Sequence, residues 1–190
     1  MANENPQGQR PAGRSESFAV RPIRINRRVI VRLPAALSAA LPSRGMVMAR
    51  GTLNGVPFQA PLEPDGTGGH WFFADEALPA QAETLAGQTV NLTLTPIHTW
   101  PEPIIPEDII TGIAGAGLLE TWNSLTTKGM WEWIRWIRAT ANPATRQKRI
   151  TVACDKLRRG ERRPCCFNSA SCTVPEVSQG GVLKAADDSD

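Results

Sequence analysis

KGMWEWIRWIRATANPATRQKRI, residues 128–150, is the stretch that decides the fold of the second half of this chain. On a helical wheel its large apolar side chains fall on one face. That face comprises Met130, Trp133, Ile134, Ile137 and Ala141. Asn142 then suits an N-cap, and Pro143 suits the first position of a new helix. The stretch therefore predicts two consecutive helices, the second ending near Gly160, a residue type that favours helix C-termini.

The arginines of this stretch are the candidate binding residues. Trp131 lies between Arg135 and Arg138 on the other face of the first helix, and a large indole flanked by two guanidinium groups has no evident reason to lie in water. In the second helix, Arg146 lies one turn before Ile150, on a stripe that continues through apolar residues. The sequence thus predicts that one arginine of the second helix faces the interior.

A guanidinium on an apolar stripe must find a partner, because an isolated buried charge is far too costly. The candidate acids for Arg146 are Glu120, Glu132 and Asp108. We interpret Arg146 as an internal clamp that fixes the register of the two helices. The alternative is an anion site in which Arg146 and Arg149 converge on a ligand carboxylate or phosphate.

Short strands precede the helices. Asn54-Gly55 supplies the positive φ angles of a tight hairpin turn between strands at residues 46–53 and 56–62. The other predicted strands are residues 28–33, 70–74 and 88–96, and the other predicted helices are residues 107–113 and 118–125. Short strands without helical crossovers predict an α+β chain, with a small closed β-barrel followed by a helical bundle.

Two parts of the chain resemble known families. Residues 133–150 and 156–168 (KLRRGERRPCCFN) are similar to the bacterial YdeI/OmpD-associated family, also labelled bacteriocin-protection. The matching motifs are Trp136-Ile137, Thr145-Arg146, Arg149-Ile150 and the basic residues 156–163. Residues 51–73 and 86–96 resemble the small β-barrel domain of unknown function that often precedes that family. The two resemblances cover about residues 18–164, and they bring no catalytic residues with them.

The composition and the two resemblances predict five segments. They are a disordered tail (1–17), a small β-barrel domain (18–98), a Pro-rich linker (99–106), a YdeI/OmpD-associated helical domain (107–164), and a cysteine-containing loop with an acidic tail (165–190). The loop is expected to lie over one of the domains.

Charge and hydropathy limit the classes of function. The net charge is only +3, although basic residues far outnumber acidic ones in residues 135–163. Local basicity of this kind serves nucleic acid, anionic lipid or an acidic protein, or it is a solvated face. No apolar run approaches membrane-spanning length, and the amino terminus lacks an export signal. The chain is expected to be cytoplasmic, with mostly reduced thiols.

The glycine-rich loop and the histidine that follows it offer a second place to look for a site. Residues 64–69 (PDGTGG) lead into a strand rather than a helix and contain no lysine, which favours a β-turn over a phosphate loop. His70 opens that strand and is a candidate ligand contact at the barrel rim, although a structural or surface histidine is the simpler interpretation. Two histidines in the whole chain exclude a histidine-based metal cluster.

The four cysteines equal a structural zinc site in number but not in spacing. Cys165, Cys166 and Cys172 share one loop, and Cys154 falls on the preceding helix. A C-x₂-C pair is lacking, and adjacent cysteines rarely both reach one metal. Vicinal thiols beside basic residues are an alternative redox pair. Structural or incidental thiols are the favoured interpretation, so neither a metal nor another cofactor is predicted.

The resemblance implies a non-enzymatic cytoplasmic stress or antimicrobial-peptide-tolerance factor that acts by binding an unknown protein or anionic ligand. No nucleophile–base pattern marks an enzyme. One alternative is a nucleic-acid-binding regulator that uses residues 135–163 with Trp131 as a stacking platform, for which weak, salt-sensitive binding is expected. The other is a small-molecule site beside the barrel. A monomer or small homo-oligomer is expected.

Overall fold

A computed structural model describes residues 16–164 and 172–187 and has an α+β fold. A seven-stranded sheet with three short helices forms the first half, and four more helices and a small hairpin follow. The elements are β1 (Ser17–Val20), β2 (Ile23–Ile25), β3 (Arg28–Arg32), α1 (Ala35–Ala39), β4 (Val47–Leu53), β5 (Val56–Pro64), β6 (His70–Phe73), α2 (Ala74–Ala77), α3 (Ala82–Leu85), β7 (Val90–Pro96), α4 (Glu107–Gly115), α5 (Leu119–Asn123), α6 (Thr127–Arg138), α7 (Pro143–Arg158), β8 (Ser178–Gln179) and β9 (Val182–Leu183).

The sheet is curled but does not close into a barrel, so the prediction of a closed β-barrel is wrong. Its antiparallel strands follow the order β1-β7-β4-β5-β6-β3-β2, which leaves β1 and β2 as edges within the described residues. Only Arg21 and Pro22 separate these two strands in sequence, so the two edges lie near each other in space. The chain crosses the gap at a proline, which has no N–H to donate to a ladder.

Alternating side chains give the sheet two apolar faces. One face packs against α1, α2 and α3 and includes Val31, Leu62 and Phe72. The opposite face carries Ile30, Trp71 and Phe73, which pack against Val177 and Leu183 from the C-terminal segment. Because the side chains of a strand alternate, Glu63 next to Leu62 points to this second face.

The turns that connect the strands agree with the sequence prediction. Asn54 and Gly55 have φ angles of 50° and 83°, as the tight turn between β4 and β5 requires. In the glycine-rich loop, Asp65 Oδ1 accepts hydrogen bonds from the backbone N–H groups of Thr67 and Gly69, both at 2.8 Å. The loop is therefore a side-chain-stabilised turn between β5 and β6, as predicted.

The four C-terminal helices share one apolar core. Asn142 caps α7 by accepting a hydrogen bond from the N–H of Thr145 at 3.1 Å, and Gly160 follows the helix with a φ angle of 82°. Both ends of α7 are therefore as predicted. Helix α6 ends at Arg138, so Ala141 lies beyond it and is exposed, contrary to its predicted core position. The shared core comprises Ile109, Ile113, Trp122, Trp133, Ile134, Ile137, Ile150, Ala153 and Leu157, with neighbours from the connecting turns.

The C-terminal segment covers the sheet, as expected for the segment after the helices. Strands β8 and β9 form a small hairpin there, which the sequence did not predict. Ser17, assigned to the tail, belongs to β1, and the rest of the predicted tail is outside the described residues. Within residues 16–164 and 172–187, no helix is long and apolar enough to cross a membrane.

Candidate functional site

A cluster of buried charges joins the sheet to α6. Arg135 Nε donates to Glu63 Oε2 at 2.7 Å, and Arg138 Nη2 donates to Glu63 Oε1 at 2.6 Å. Glu63 is 1% exposed and Arg135 is 5% exposed. Arg135 also donates to Thr173 Oγ1 at 3.2 Å, which connects the C-terminal segment to the same point. We call Glu63, Arg135 and Arg138 the buried ion cluster.

The position of this cluster explains why α6 carries two arginines outside its apolar face. Arg135 and Arg138 lie one turn apart on one side of the helix, which the helical wheel separates from the apolar face. That side is not in water, because β5 and the C-terminal segment cover it. The arginine that is fully buried is therefore Arg135, whereas the sequence predicted it to be Arg146.

The charges of the cluster stabilise one another. Burial alone would raise the pKa of the Glu63 carboxyl, but the charges and hydrogen bonds of Arg135 and Arg138 outweigh it and hold the pKa below its usual value. The single carboxylate of Glu63 therefore forms ion pairs with two guanidinium groups. The Nε atom of Arg138 is buried and has no hydrogen-bond partner among the described residues.

Arg146 has one of the partners predicted for it. Its Nε and Nη2 atoms donate to Asp108 at 2.5 and 2.9 Å, and this bidentate pair joins α7 to α4. The predicted burial is wrong in degree, since 26% of the Arg146 side chain and 42% of the Asp108 side chain are exposed. The Arg146–Asp108 ion pair therefore joins α7 to α4, and it is partly exposed to solvent.

Replacing Arg146 with alanine is expected to lower the free energy of unfolding by about 1 kcal/mol or less, because half-exposed ion pairs contribute little. Urea unfolding of Arg146→Ala, Asp108→Ala and the double variant would give the coupling energy of the pair. A loss of about 3 kcal/mol from the single variant would contradict the observed exposure and match a buried charge instead.

The other residues predicted to bind a ligand make contacts within the protein. Trp131 Nε1 donates to the carbonyl of Pro101 at 2.7 Å. Arg149 Nη1 donates to the carbonyl of Trp136 at 2.6 Å, and its guanidinium lies 5.4 Å from the centre of that indole ring. Trp131, Arg135 and Arg138 are on α6, whereas Arg146 and Arg149 are on α7. The predicted basic surface is thus divided between two helices. Its arginines Arg135, Arg138, Arg146 and Arg149 form hydrogen bonds within the protein.

His70 is buried and holds the start of β6 in place. It is 1% exposed, its Nδ1 is 2.7 Å from the Ser38 hydroxyl, and its Nε2 is 3.0 Å from the carbonyl oxygen of Gly45. A carbonyl only accepts, so Nε2 carries the proton and Nδ1 accepts from Ser38. Burial lowers the pKa of His70, which keeps the ring neutral. This is the structural role that the sequence favoured.

The cysteines do not form a site in the part of the chain that is described. Cys165 and Cys166 lie outside the described residues, and Cys154 and Cys172 are buried. Burial raises the pKa of the Cys154 thiol, which disfavours its reactive thiolate. Across residues 16–164 and 172–187, no three histidine, cysteine or acidic side chains are placed to hold a metal ion.

A cleft of about 500 Å³ opens beside the buried ion cluster, between the sheet, α6 and residues 101–106. We call it the apolar cleft, because apolar side chains form most of its wall; they include Met48, Phe73, Pro103, Ile104, Trp131 and Ile134. The polar side chains of its lining are Gln59, Glu76, Glu102 and Arg138. Ile104 is 94% exposed, which is unusual for a large apolar residue.

Sequence reasoning missed Glu63 and the Pro-rich wall of the cleft. Glu63 interrupts an apolar strand between Leu62 and Pro64, and a carboxylate in such a strand signals a buried partner. Residues 101–106 were predicted only as part of a linker. Their three prolines and two isoleucines make the segment largely apolar, which is typical of a contact surface. Trp131 and Arg138 are the predicted site residues that line the cleft.

Two family models match the chain. Residues 21–94 match a domain of unknown function, DUF1905, which corresponds to the sheet from β2 to β7. Residues 102–160 match the family described as bacteriocin-protection, YdeI or OmpD-associated, which corresponds to α4 to α7. Neither a curated protein nor a solved structure matches the chain. The chain therefore carries a segment similar to DUF1905, followed by a segment similar to the bacteriocin-protection, YdeI- or OmpD-associated family, as the two resemblances predicted.

Proposed function

We propose that this protein is a non-enzymatic binding protein that contributes to tolerance of antimicrobial peptides, and that the apolar cleft holds a short apolar segment of such a peptide. The apolar cleft is the observation that carries the proposal. A concave site with mostly apolar walls and a few polar groups is typical of ligand sites. The family description, which names bacteriocin protection, supports a peptide as the ligand.

The chemistry of the lining suits binding rather than catalysis. Among the described residues that line the cleft, the polar side chains are amides, carboxylates and one guanidinium, and no nucleophile stands beside a base. Burial of one isoleucine-sized side chain in such a cleft contributes about 1.5–3 kcal/mol. Ile104, Trp131 and Ile134 provide that apolar surface.

The charge at the mouth of the cleft favours a basic peptide. Glu76 is occupied, because Arg28 donates to it at 2.7 Å. Arg138 is likewise bonded to Glu63. Glu102 makes no hydrogen bond or ion pair with the residues that the structure describes. Glu102 is therefore an acid without a partner among the described residues of the lining, and it would attract a lysine or arginine next to an apolar segment.

Calorimetric titration of the full chain with a synthetic leucine–lysine peptide tests the proposal. We expect saturable binding that Ile104→Asp weakens by about tenfold or more, because a carboxylate would replace an exposed contact residue. Leu119→Asp is the matched control, since Leu119 is also exposed but lies on α5 away from the cleft. Absence of saturable binding, or an equal loss in both variants, would contradict the proposal.

The alternative of a nucleic-acid-binding regulator has less support. Phosphate recognition needs cations that are free to reach the backbone. Arg135 and Arg138 bond to Glu63, and Arg146 bonds to Asp108. Trp131 bonds to residues 101–106 through its indole N–H rather than standing alone as a stacking platform.

A further inference from the structure

A second groove lies at the beginning of α6, and Met48 is the described residue that lines both it and the cleft of the proposed function. It consists of two clefts, of about 470 Å³ and about 310 Å³, that share Ser43, Met46, Lys128 and Arg163 in their linings. Because four residues border both clefts, the two are contiguous. We call them together the cationic groove. No residue of the proposed peptide contact, Ile104, Glu102 or Trp131, lines it.

Positive charge exceeds negative charge in this groove. Its smaller cleft is lined by Lys128, Arg135 and Arg163 and by one acid, Glu132. Arg163 is 3.4 Å from Glu132, and its side chain remains 61% exposed. The amine of Lys128 forms no ion pair with the described residues and lies 5.5 Å from the centre of the Trp100 ring. The lysine is therefore held in place without a carboxylate to neutralise it.

The rest of the groove adds hydrogen-bond donors on one side and apolar surface on the other. Thr126 and Thr127 line it where α6 begins, so the positive end of the helix dipole adds to the charge of Lys128. The opposite wall is apolar and is formed by Val47, Met48, Ile97 and Trp100. A ligand that fits both sides has an anionic group and an apolar body.

We propose that the cationic groove binds a small organic phosphate, with the phosphate between Lys128 and Arg163 and the apolar or aromatic body against Trp100. A phosphomonoester carries about −1.5 to −2 charges at neutral pH. Lys128 has no carboxylate partner among the described residues, Arg163 shares its charge with Glu132 and remains 61% exposed, and the helix N-terminus adds partial positive charge, so the groove favours a strongly charged anion. The inference does not depend on the proposed peptide contact, since the two sites share no residue that either experiment changes.

Calorimetric titration of the full chain with phenyl phosphate, at constant ionic strength, tests this site. We expect saturable binding that is at least about tenfold tighter than binding of inorganic phosphate or of phenol alone. Inorganic phosphate would contact only the cationic side of the groove, and phenol only the apolar side. Lys128→Gln and Arg163→Gln are each expected to weaken binding by about tenfold or more, through loss of a charge-assisted contact.

Lys148→Gln is the matched control, because Lys148 is an exposed cation on α7 that does not line the groove. The proposal is overturned if phenyl phosphate shows no saturable binding, or if Lys148→Gln weakens it as much as Lys128→Gln does. Ile104→Asp should leave phenyl phosphate affinity unchanged, so failure of the peptide site and failure of this one are distinguishable. Thermal unfolding of each variant would verify that it is folded.

Discussion

Replacement of Glu63 with alanine is expected to lower the free energy of unfolding by about 3–5 kcal/mol, the cost of removing one partner from a buried ion pair. Glu63 forms ion pairs with both Arg135 and Arg138, and its side chain is 2% exposed. Its loss removes the buried carboxylate that these two arginines share. Urea unfolding at neutral pH, followed by fluorescence, would measure the change.

A triple variant, Glu63→Leu with Arg135→Met and Arg138→Leu, separates the charge effect from packing. It is expected to recover most of the lost stability, because well-packed apolar residues replace buried ion clusters at little cost. Asp108→Ala, which breaks the exposed pair with Arg146, should cost about 1 kcal/mol or less. If Glu63→Ala cost no more than Asp108→Ala, the cluster would not be buried as described.

The pH dependence of stability provides a second measurement of the same cluster. The folded-state pKa of Glu63 is lowered, so its contribution is fully present above the unfolded-state pKa of about 4.3. That contribution is lost as the pH falls through the folded-state pKa, because protonated Glu63 no longer balances the arginines. Glu63→Gln should lack this component, and its stability should fall less than that of the wild type below about pH 4.

Replacement of Gly51 with alanine is expected to cost about 3 kcal/mol, at the upper end of the range for overpacking. Gly51 lies in β4 opposite Leu94 of β7. A Cβ atom at this position would overlap the backbone carbonyl of Thr93, and a backbone atom cannot move aside as a flexible side chain can. The substitution would therefore separate β4 from β7, in the middle of the sheet. Thermal or urea unfolding would measure the effect.

Gly115→Ala is the control, because this substitution is expected to leave the free energy of unfolding unchanged or to raise it. Gly115 is the last residue of α4, and a Cβ atom there would meet nothing within 4 Å. Alanine in a helix is favoured over glycine by about 0.5–1 kcal/mol, so this variant should be as stable as the wild type or more so. Equal destabilisation by both substitutions would show that the close approach at Gly51 is not the cause.

The sequence by itself determined the local features of this protein. Asn142 and Pro143 start α7, Gly160 follows its end, and Asn54-Gly55 forms the hairpin turn between β4 and β5. Each of these depends on a few neighbouring residues whose backbone preferences are strong. The family resemblance also came from contiguous motifs. For Arg146 the sequence offered three candidate acids, Glu120, Glu132 and Asp108, and the structure pairs it with Asp108.

Only the tertiary structure decided which side of α6 is buried. A helical wheel sorts residues by polarity, so it could not explain the side of α6 that carries Arg135. Glu63, distant by 72 positions in the sequence, makes the burial of that arginine tolerable. The open sheet is a comparable case, because closure depends on whether two edge strands meet and not on strand propensity. The apolar cleft and the cationic groove combine side chains from segments far apart in the chain, so their shapes arise from the packing of α6 and the residues before α4 against the sheet.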